Sequence, residues 1–253
     1  MPASDLRLRA IPGLPLFAPG DDLAAIIGDA MAATPPADGD VLVVAQKIVS
    51  KAEGRIVDIA TVTASPRATA LAAEIGKDPR VVEVILGEAA RVVRSRPNLL
   101  IVEHKRGWVM ANAGVDQSNI DHAGGGRLLL LPADPDASAE NLHATLSARF
   151  GVHLAVVIND SFGRAWRRGT AGIAIGAAGL PGIIDLRGQP DLFGRILEVS
   201  IIGYADEIAA AASLLMGQAS EGQPAVLVSG LRWTAPEGTA ADLVRPPAED
   251  LFR

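Results

Sequence analysis

The chain has 253 residues, of which 49% are apolar and 21% charged, so it has enough apolar sequence for one or two globular domains and is not a disordered protein. It contains no cysteine, which excludes disulfides, a thiolate nucleophile and cysteine-ligated metals. Its net charge of −6, its scattered basic residues and its lack of a long apolar run or signal sequence predict a cytoplasmic protein that binds neither nucleic acid nor membranes.

The predicted elements mix helices and strands without regular alternation. Capping residues and helical spacing predict helices after Asp22, Ser65, Asp78 and Asp134, and an alanine-rich helix over 205–216. Apolar runs predict strands over 41–44, 99–102, 108–110, 128–131, 152–158, 196–202 and 225–228. Because hairpin signals replace strict β-α-β alternation, we predict an α+β fold with mixed or antiparallel sheets. We interpret residues 235–253 as a loose C-terminal arm.

Several common active-site motifs are absent. The chain has no P-loop, no dinucleotide-binding glycine fingerprint, no nucleophile elbow and no zinc-protease motif. Its four histidines are dispersed and lack the spacing of metal ligands. These absences direct attention to carboxylates and cationic side chains.

Two further segments could contact a ligand, one through its lysines and the other through glycines that let a ligand come close to the backbone. Gln46, Lys47 and Lys51 directly follow a predicted buried strand and include two of the chain's four lysines, which suits phosphate binding. A solvated turn between a strand and a helix is the alternative. The glycine-containing segment 216–224 follows a predicted helix; alone it is equally consistent with an ordinary helix end.

Two aspartates follow predicted strands in polar surroundings. Asp116 and Asn119 lie in a segment of small residues and amides. Asp116 could ligate a metal and the Asn119 amide could hydrogen-bond to a ligand, although an Asx-type turn explains the pattern equally well.

Asp160 and Ser161 directly follow a predicted buried strand, and the segment continues into Arg164, Arg167 and Arg168. Oxygen ligands followed by arginines suit a divalent cation and phosphate, with an arginine-rich surface loop as the alternative. Together with the lysines, these residues predict a metal-assisted phosphate site without a P-loop.

Five motifs, in order, resemble one family. They are Gly-Leu-Pro-Leu at 13–16 with Pro-Gly-Asp-Asp-Leu at 19–23, Ser-Lys-Ala-Glu-Gly-Arg at 50–55, Asn-Ala-Gly-Val-Asp-x-Ser-Asn at 112–119, Asp-Ser-x-Gly-Arg-x-x-Arg-Arg-Gly at 160–169, and Ala-Asp-Glu-Ile-Ala at 205–209 continuing to Leu-Met-Gly at 215–217. Over residues 13 to about 230 the chain resembles the coenzyme F420-0:L-glutamate ligases, also called F420 γ-glutamyl ligases.

The resemblance implies a ligase that adds L-glutamate to coenzyme F420-0 through amide and γ-glutamyl bonds, using GTP and an acyl phosphate, to give F420-1 and F420-2. It implies Mg²⁺ or Mn²⁺, with K⁺ as a further candidate. It also implies an α+β ligase module spanning 1–253, with two intertwined subdomains and a homodimer. Some relatives have an additional nitroreductase-like domain, and we expect the form without it.

The resemblance also implies site residues. The metal ligands would be Asp116, Asp160, Ser161 and Gln218. The nucleotide-binding residues would be Leu14, Pro15, Leu16, Phe17, Gln46, Lys47, Lys51, Asn119, Met216, Gly217, Gln218, Ala219, Ser220, Glu221, Gly222 and Gln223, although Gln46 and Lys47 replace small hydroxyl residues found in some relatives. Lys51, Arg164 and Arg167 are also assigned catalytic roles. Arg164, Arg167 and Arg168 are assigned to phosphate or substrate carboxylates on chemical grounds alone.

Two other functions use the same residues. A metal-dependent phosphohydrolase would release phosphate from a nucleotide without glutamate. A non-catalytic deazaflavin- or nucleotide-binding protein would bind saturably without turnover, a reading that the presence of Asp116, Asp160 and Lys51 disfavours.

Overall fold

A computed structural model of the chain describes residues 5–120, 126–163 and 165–250. Its α-helices are α1 (Leu23–Met31), α2 (Gln46–Ala52), α3 (Pro66–Ile75), α4 (Pro79–Glu88), α5 (Pro135–Phe150) and α6 (Tyr204–Met216). Four of them begin at the predicted caps, since the side chains of Asp22, Ser65, Asp78 and Asp134 each accept a hydrogen bond from a backbone N–H of the first turn. None of the described helices is long and apolar enough to span a bilayer.

The strands form one central sheet and three smaller ones. They are β1 (Arg7–Ala10), β2 (Val41–Ala45), β3 (Ile56–Asp58), β4 (Ala89–Arg96), β5 (Leu99–His104), β6 (Val109–Ala111), β7 (Arg127–Leu129), β8 (Ala155–Gly163), β9 (Thr170–Ala178), β10 (Ile184–Asp185), β11 (Ile201–Ile202) and β12 (Ala225–Ser229). The central sheet has the order β1-β12-β2-β8-β9, in which β2 and β8 are parallel and the other pairs antiparallel. This mixed sheet confirms the predicted α+β class.

Both faces of the central sheet are covered, which explains why β2 is apolar throughout. Leu42 and Val44 pack with α1 and α5 on one face, whereas Val41 and Val43 pack with α6 on the other. All four side chains are fully buried, and burying each stabilises the fold by roughly 1.5–3 kcal/mol. A third apolar cluster joins α3 and α4 to β5.

A strand was predicted over 152–158, and the structure has a strand there with different bounds. β8 begins at Ala155 and continues to Gly163, because its polar half pairs antiparallel with β9 as a hairpin. Asp160 and Ser161 therefore lie within a strand and not in a loop. A rigid strand holds side chains more firmly than a loop does.

The strand predicted over 196–202 was also wrong, because only β11 is formed there. The side chains of Ile196 and Val199 are 53% and 84% exposed, so no core fixes this segment in a longer strand. Sequence analysis also missed β1, which pairs with β12 at the sheet edge.

The sequence predicted a loose C-terminal arm over 235–253, but part of this segment packs against the rest of the protein. Gly238 pairs with Leu180, and Ala240 is buried against the α6 face of the central sheet. The Asp136 carboxylate accepts a hydrogen bond from the Ala240 N–H at 2.9 Å. Backbone hydrogen bonds and one buried side chain therefore anchor this segment.

Candidate functional site

The carboxyl end of β2 lies beside the middle of β8, and the candidate site lies at this point. Ala45, the last residue of β2, pairs with Asn159, so the next residues along the chain, Gln46 and Asp160, are neighbours. The carboxyl ends of parallel strands are common ligand sites. The chain turns directly from β2 into α2, a short helix that sequence analysis left open as a solvated turn. Its first turn brings Lys47 to the same edge.

Asp116 and Lys47 form the centre of the site. The Lys47 ammonium lies 2.7 Å from Asp116 Oδ2 and donates to the Ser118 hydroxyl at 2.6 Å. The backbone N–H groups of Gln117 and Ser118 donate to Asp116 Oδ1 at 2.6 and 2.8 Å. Although burial opposes ionisation, Lys47 and Ser118 hold the pKa of Asp116 below its usual value. Asp116 is therefore an ionised carboxylate fixed in position.

The backbone of Asp116 is fixed as firmly as its side chain. It exchanges hydrogen bonds of 3.0 and 2.9 Å with Leu129, the last residue of β7. The preceding Asn112 and Ala113 have positive φ values of 51° and 55°, which turn the chain sharply after β6. The hydrogen bond from the Ser118 N–H to Asp116 Oδ1 makes this segment the Asx-type turn that we gave as the alternative to a metal role. The turn is compatible with that role, because the second carboxylate oxygen, Asp116 Oδ2, still faces Lys47.

Asp160 is a carboxylate held close to two other charges. Burial raises the pKa of Asp160 to about 6, and the nearby Asp116 carboxylate adds to this effect. The Ser161 backbone, the Lys47 ammonium and the Gln46 amide oppose the shift. Gln46 is itself buried and accepts a hydrogen bond of 2.9 Å from the Ser50 hydroxyl, so its amide is fixed beside Asp160.

The loop after α6 joins the site through two hydrogen bonds. The Ser161 hydroxyl donates to the Gln218 amide oxygen at 2.8 Å. The Asn119 amide donates to the Ala219 carbonyl at 3.0 Å. Three segments that lie far apart in sequence therefore meet: the turn after β6, the middle of β8 and the loop over 217–223.

Glycine makes this loop possible. Gly217 has a φ of 69°, and a Cβ there would overlap atoms of the Glu221 side chain, so a larger residue would displace that side chain. Glu221 in turn accepts a hydrogen bond from the Ala219 N–H at 2.8 Å, and the backbone N–H groups around it lower its pKa. Ser220 and Gln223 are exposed and make no hydrogen bond through their side chains to other described residues.

The donors suit a hard divalent cation. Among the described residues, no three carboxylate or imidazole side chains gather at one point. The candidate set has the carboxylates of Asp116 and Asp160, together with the Ser161 hydroxyl from the next residue of β8 and the Gln218 amide oxygen to which it donates. Mg²⁺ and Mn²⁺ prefer such oxygen ligands and complete their coordination with water and substrate oxygens. The carboxylate pair already attracts one cation, the Lys47 ammonium, so these residues fit a divalent ion.

The other predicted nucleotide-binding residues divide into buried and exposed groups. Phe17 belongs to the apolar core and Leu14 packs against it, so both hold the loop in place. Leu16 is 96% exposed, and Pro15 is exposed beside it. Met216 is buried at the end of α6. Only part of the predicted set therefore presents side chains to a ligand.

The predicted catalytic and phosphate-binding cations differ in their exposure. Lys51 lies one turn after Lys47 on α2, and burial together with Lys47 lowers its pKa. Arg167 and Arg168 are exposed in the turn of the β8–β9 hairpin. Arg164 lies outside the described residues, so its predicted role stays a prediction.

Sequence analysis missed the part played by Ser118. Its N–H and hydroxyl both contact Asp116, and its hydroxyl also accepts from Lys47. The Asp-x-Ser spacing at 116–118 is typical of an Asx-type turn and was the available signal.

Comparison with known proteins identifies the family. The family model described as F420-0:Gamma-glutamyl ligase matches residues 13–230. This chain belongs to the F420-0:gamma-glutamyl ligase family. The coenzyme F420:L-glutamate ligases of Methanothermobacter thermautotrophicus and Methanopyrus kandleri are 44% and 45% identical to it, and the alignments cover 98% of this chain and 99% and 98% of the relatives. The protein of the same name from Archaeoglobus fulgidus is 44% identical, over 98% of this chain and 97% of its own length.

Membership of the F420-0:gamma-glutamyl ligase family makes the chain a ligase that forms amide bonds. All five resembling motifs lie within the matched range. They contain Asp116, Asp160 and Ser161 of the candidate site, whereas Gln46, Lys47 and Gln218 lie outside them.

Proposed function

We propose that this protein joins L-glutamate to coenzyme F420-0, using GTP and Mg²⁺ or Mn²⁺, to give F420-1 and then F420-2. The names of its relatives supply the two substrates. The observation that carries the proposal within this chain is the meeting of Asp116, Asp160 and Lys47 where β2 ends beside the middle of β8. Two carboxylates with a nearby ammonium can bind a metal and the phosphates that accompany it.

The proposed chemistry activates a carboxylate, which is a poor electrophile. An oxygen of the F420-0 carboxylate attacks the γ-phosphorus of GTP, and the bond from phosphorus to the GDP oxygen breaks. The α-amine of glutamate then attacks the acyl carbon, the bond from that carbon to the phosphate oxygen breaks, and the amine loses a proton. In the second round the acceptor is the γ-carboxylate of the added glutamate.

The chain's residues position these groups and balance their charge. Asp116 and Asp160 would hold the metal with Ser161 and Gln218, and a metal bound there would neutralise negative charge on the transferring phosphoryl group.

Lys47 and Lys51 lie one helical turn apart on α2 and would bind phosphate oxygens. Asn119 and the loop over 217–223 would contact the nucleotide, with the exposed Pro15 and Leu16 as further contacts. We also assign Arg167 to a substrate carboxylate or phosphate, because its exposed side chain is accessible to a ligand.

The test measures GDP release from GTP by the purified protein with Mn²⁺. The proposal predicts release only when both F420-0 and L-glutamate are present. Phosphate release without glutamate would instead indicate a phosphohydrolase, and saturable nucleotide or deazaflavin binding without turnover would indicate a binding protein. Either result would contradict the proposal.

The acyl phosphate has a separate test. F420-0 with ¹⁸O in its acceptor carboxylate should transfer one ¹⁸O to the released phosphate, because a carboxylate oxygen remains bound to phosphorus when the amine displaces it. Phosphate without ¹⁸O would contradict this route while leaving the ligase assignment intact.

We also propose that the protein is a homodimer. The segment over 184–202 carries β10 and β11 and exposes large apolar side chains, with Leu192 99% and Phe193 97% exposed. Neighbouring exposed side chains of this size are typical of protein–protein interfaces. A second copy of this chain is the occupant that we propose.

A further inference from the structure

A second candidate site lies beside the hairpin of β5 and β6. A cavity of about 550 Å³ opens between this hairpin, the start of α5 and the segment over 241–244, and its polar lining is Arg55, Glu88, His104, Lys105, Arg106 and Asp136. This volume is typical of small-molecule sites. None of these residues belongs to the candidate ligase site described above.

Lys105 is the cation of this cavity that forms no ion pair with a described residue. The Arg55 guanidinium lies 2.7 Å from Glu88, and the Arg106 guanidinium lies 3.0 Å from the Asp134 carboxylate. Asp136 accepts from the backbone N–H groups of Ala177 and Ala240 at 2.9 Å, which fixes its carboxylate in place. The Lys105 ammonium is therefore available to an anionic ligand.

His104 adds a buried donor that lacks an acceptor. Its Nδ1 accepts a hydrogen bond of 3.1 Å from the Arg106 N–H, so the hydrogen of the neutral ring lies on Nε2. Nε2 is buried and has no hydrogen-bond partner in the described part of the chain. Glu88 Oε2 is 3.9 Å away, too far for a hydrogen bond. Leaving a buried donor unpaired is unfavourable, so an oxygen acceptor is expected here.

The remaining wall is aromatic and apolar. The Trp108 ring lies 5.2 Å from the His104 ring and is tilted by 31° against it. Pro132 and Ile175 line the cavity beside it. Trp108 also contacts the Phe162 ring edge-on at 6.5 Å, and Phe162 follows Asp160 and Ser161 on β8. Packing therefore connects this cavity to the strand that holds the proposed metal ligands.

We propose that this cavity binds a small molecule through a carboxylate or phosphate group. The Lys105 ammonium supplies positive charge, His104 Nε2–H donates to an anionic oxygen, and Trp108 contacts the rest of the molecule. L-Glutamate and inorganic phosphate both offer this chemistry. The identification of the ligand with a substrate or product of the ligase rests on the proposed function, whereas the anion site itself does not.

The test is isothermal titration of the full chain with L-glutamate and, separately, with inorganic phosphate, in EDTA and without nucleotide. We expect at least one probe to bind. Lys105→Gln should raise its Kd about tenfold or more, because a charge-assisted hydrogen bond is lost. Lys105→Arg should restore much of the affinity. Lys77→Gln, which removes a lysine outside the cavity lining, is the matched control and should leave Kd unchanged.

A second variant separates binding from folding. His104→Phe removes the donor and keeps a ring in place, so it should weaken binding of the same probe while circular dichroism shows an unchanged fold. The fluorescence of Trp108, followed after Trp166→Phe and Trp233→Phe, should respond to the probe that binds.

The outcomes distinguish this proposal from the proposed function. Absence of binding by both probes, or equal weakening by Lys105→Gln and Lys77→Gln, would overturn the anion site even if ligation proceeds. Binding that is lost in Asp160→Asn would place the anion at the metal centre and would also overturn it. Binding that depends on Lys105 and His104 supports the site even if the protein proves inactive as a ligase.

Discussion

The Lys47 ammonium lies 2.7 Å from the Asp116 carboxylate, at the edge of the sheet where Asp160 is also found. The chain thus places a cation of its own against the two carboxylates that we assign to a metal. A divalent cation and the Lys47 ammonium would compete for the same carboxylate oxygens. We therefore expect metal binding to move Lys47 away from Asp116 and toward the phosphates of the nucleotide.

Lys47→Met tests this competition. Removing the ammonium while keeping the side chain's length should strengthen Mn²⁺ binding to the nucleotide-free protein several-fold, since partly exposed ion pairs contribute about 1 kcal/mol or less. Titration followed by electron paramagnetic resonance measures free Mn²⁺ directly. Lys77→Met is the control and should have no effect. Weaker Mn²⁺ binding in Lys47→Met would show that the lysine supports the metal and does not compete with it.

Gln218→Glu tests the assignment of Gln218 as a metal ligand. Its amide oxygen lies 2.8 Å from the Ser161 hydroxyl, and a carboxylate there would be a stronger ligand for a hard cation. We expect a lower Kd for Mn²⁺ in Gln218→Glu and a higher one in Gln218→Leu. Gln189→Glu adds the same charge at an exposed position in the segment over 184–202 and should change nothing. An unchanged Kd in both Gln218 variants would remove this residue from the metal site.

Asp206 gives the protein a specific pH dependence of stability. Burial raises the pKa of Asp206, although the Ala174 N–H donates to it at 2.9 Å. Because its folded-state pKa lies above the unfolded one, its charge opposes folding above the folded-state pKa, and this effect disappears below the unfolded-state pKa. Asp206→Asn, whose amide oxygen can still accept from Ala174, should raise Tm at pH 7.5 and lose that advantage as the pH falls toward 4.

Scanning calorimetry in EDTA at several pH values measures this difference. Glu207→Gln, at an exposed position one residue further along α6, is the control and should show a smaller change. A Tm for Asp206→Asn that lies below that of the natural sequence at pH 7.5 would contradict the argument from burial.

The segment over 184–202 tests the proposed dimer. Leu192→Asp combined with Phe193→Asp should give a monomer in light scattering, because two charges would be buried without partners in the interface. Leu214 is 84% exposed on α6, outside this segment, so Leu214→Asp is the control and should remain dimeric. A natural chain that is monomeric at micromolar concentration, or a double variant that remains dimeric, would show that this segment does not form the interface.

Local signals were sufficient to predict much of the fold. Asp22, Ser65, Asp78 and Asp134 begin helices as their types and positions indicate, since capping depends on only a few neighbouring residues. The bounds of β8 could not be predicted, because its polar half is fixed by pairing with β9 and not by apolar side chains. Strand pairing of this kind is a tertiary interaction that a local pattern does not record.

The candidate site was predictable in its residue types and less so in its contacts. Asp116 and Asp160 stand out because each follows an apolar strand. The ion pair between Lys47 and Asp116 joins residues far apart in the chain, and the role of Ser118 depends on that contact. The parallel pairing of β2 with β8 creates the site, and neither strand's sequence specifies its partner.

The most direct test of the central claim is the mass of the product. The protein is incubated with F420-0, L-glutamate, GTP and Mn²⁺, and the deazaflavin products are analysed by mass spectrometry, beside Asp160→Asn of confirmed fold. The account predicts F420 species heavier by one and two glutamyl units for the natural sequence, and a rate lower by about 100-fold or more for Asp160→Asn, because a metal ligand is lost. No glutamyl addition by the natural sequence, or an unimpaired Asp160→Asn, would contradict it.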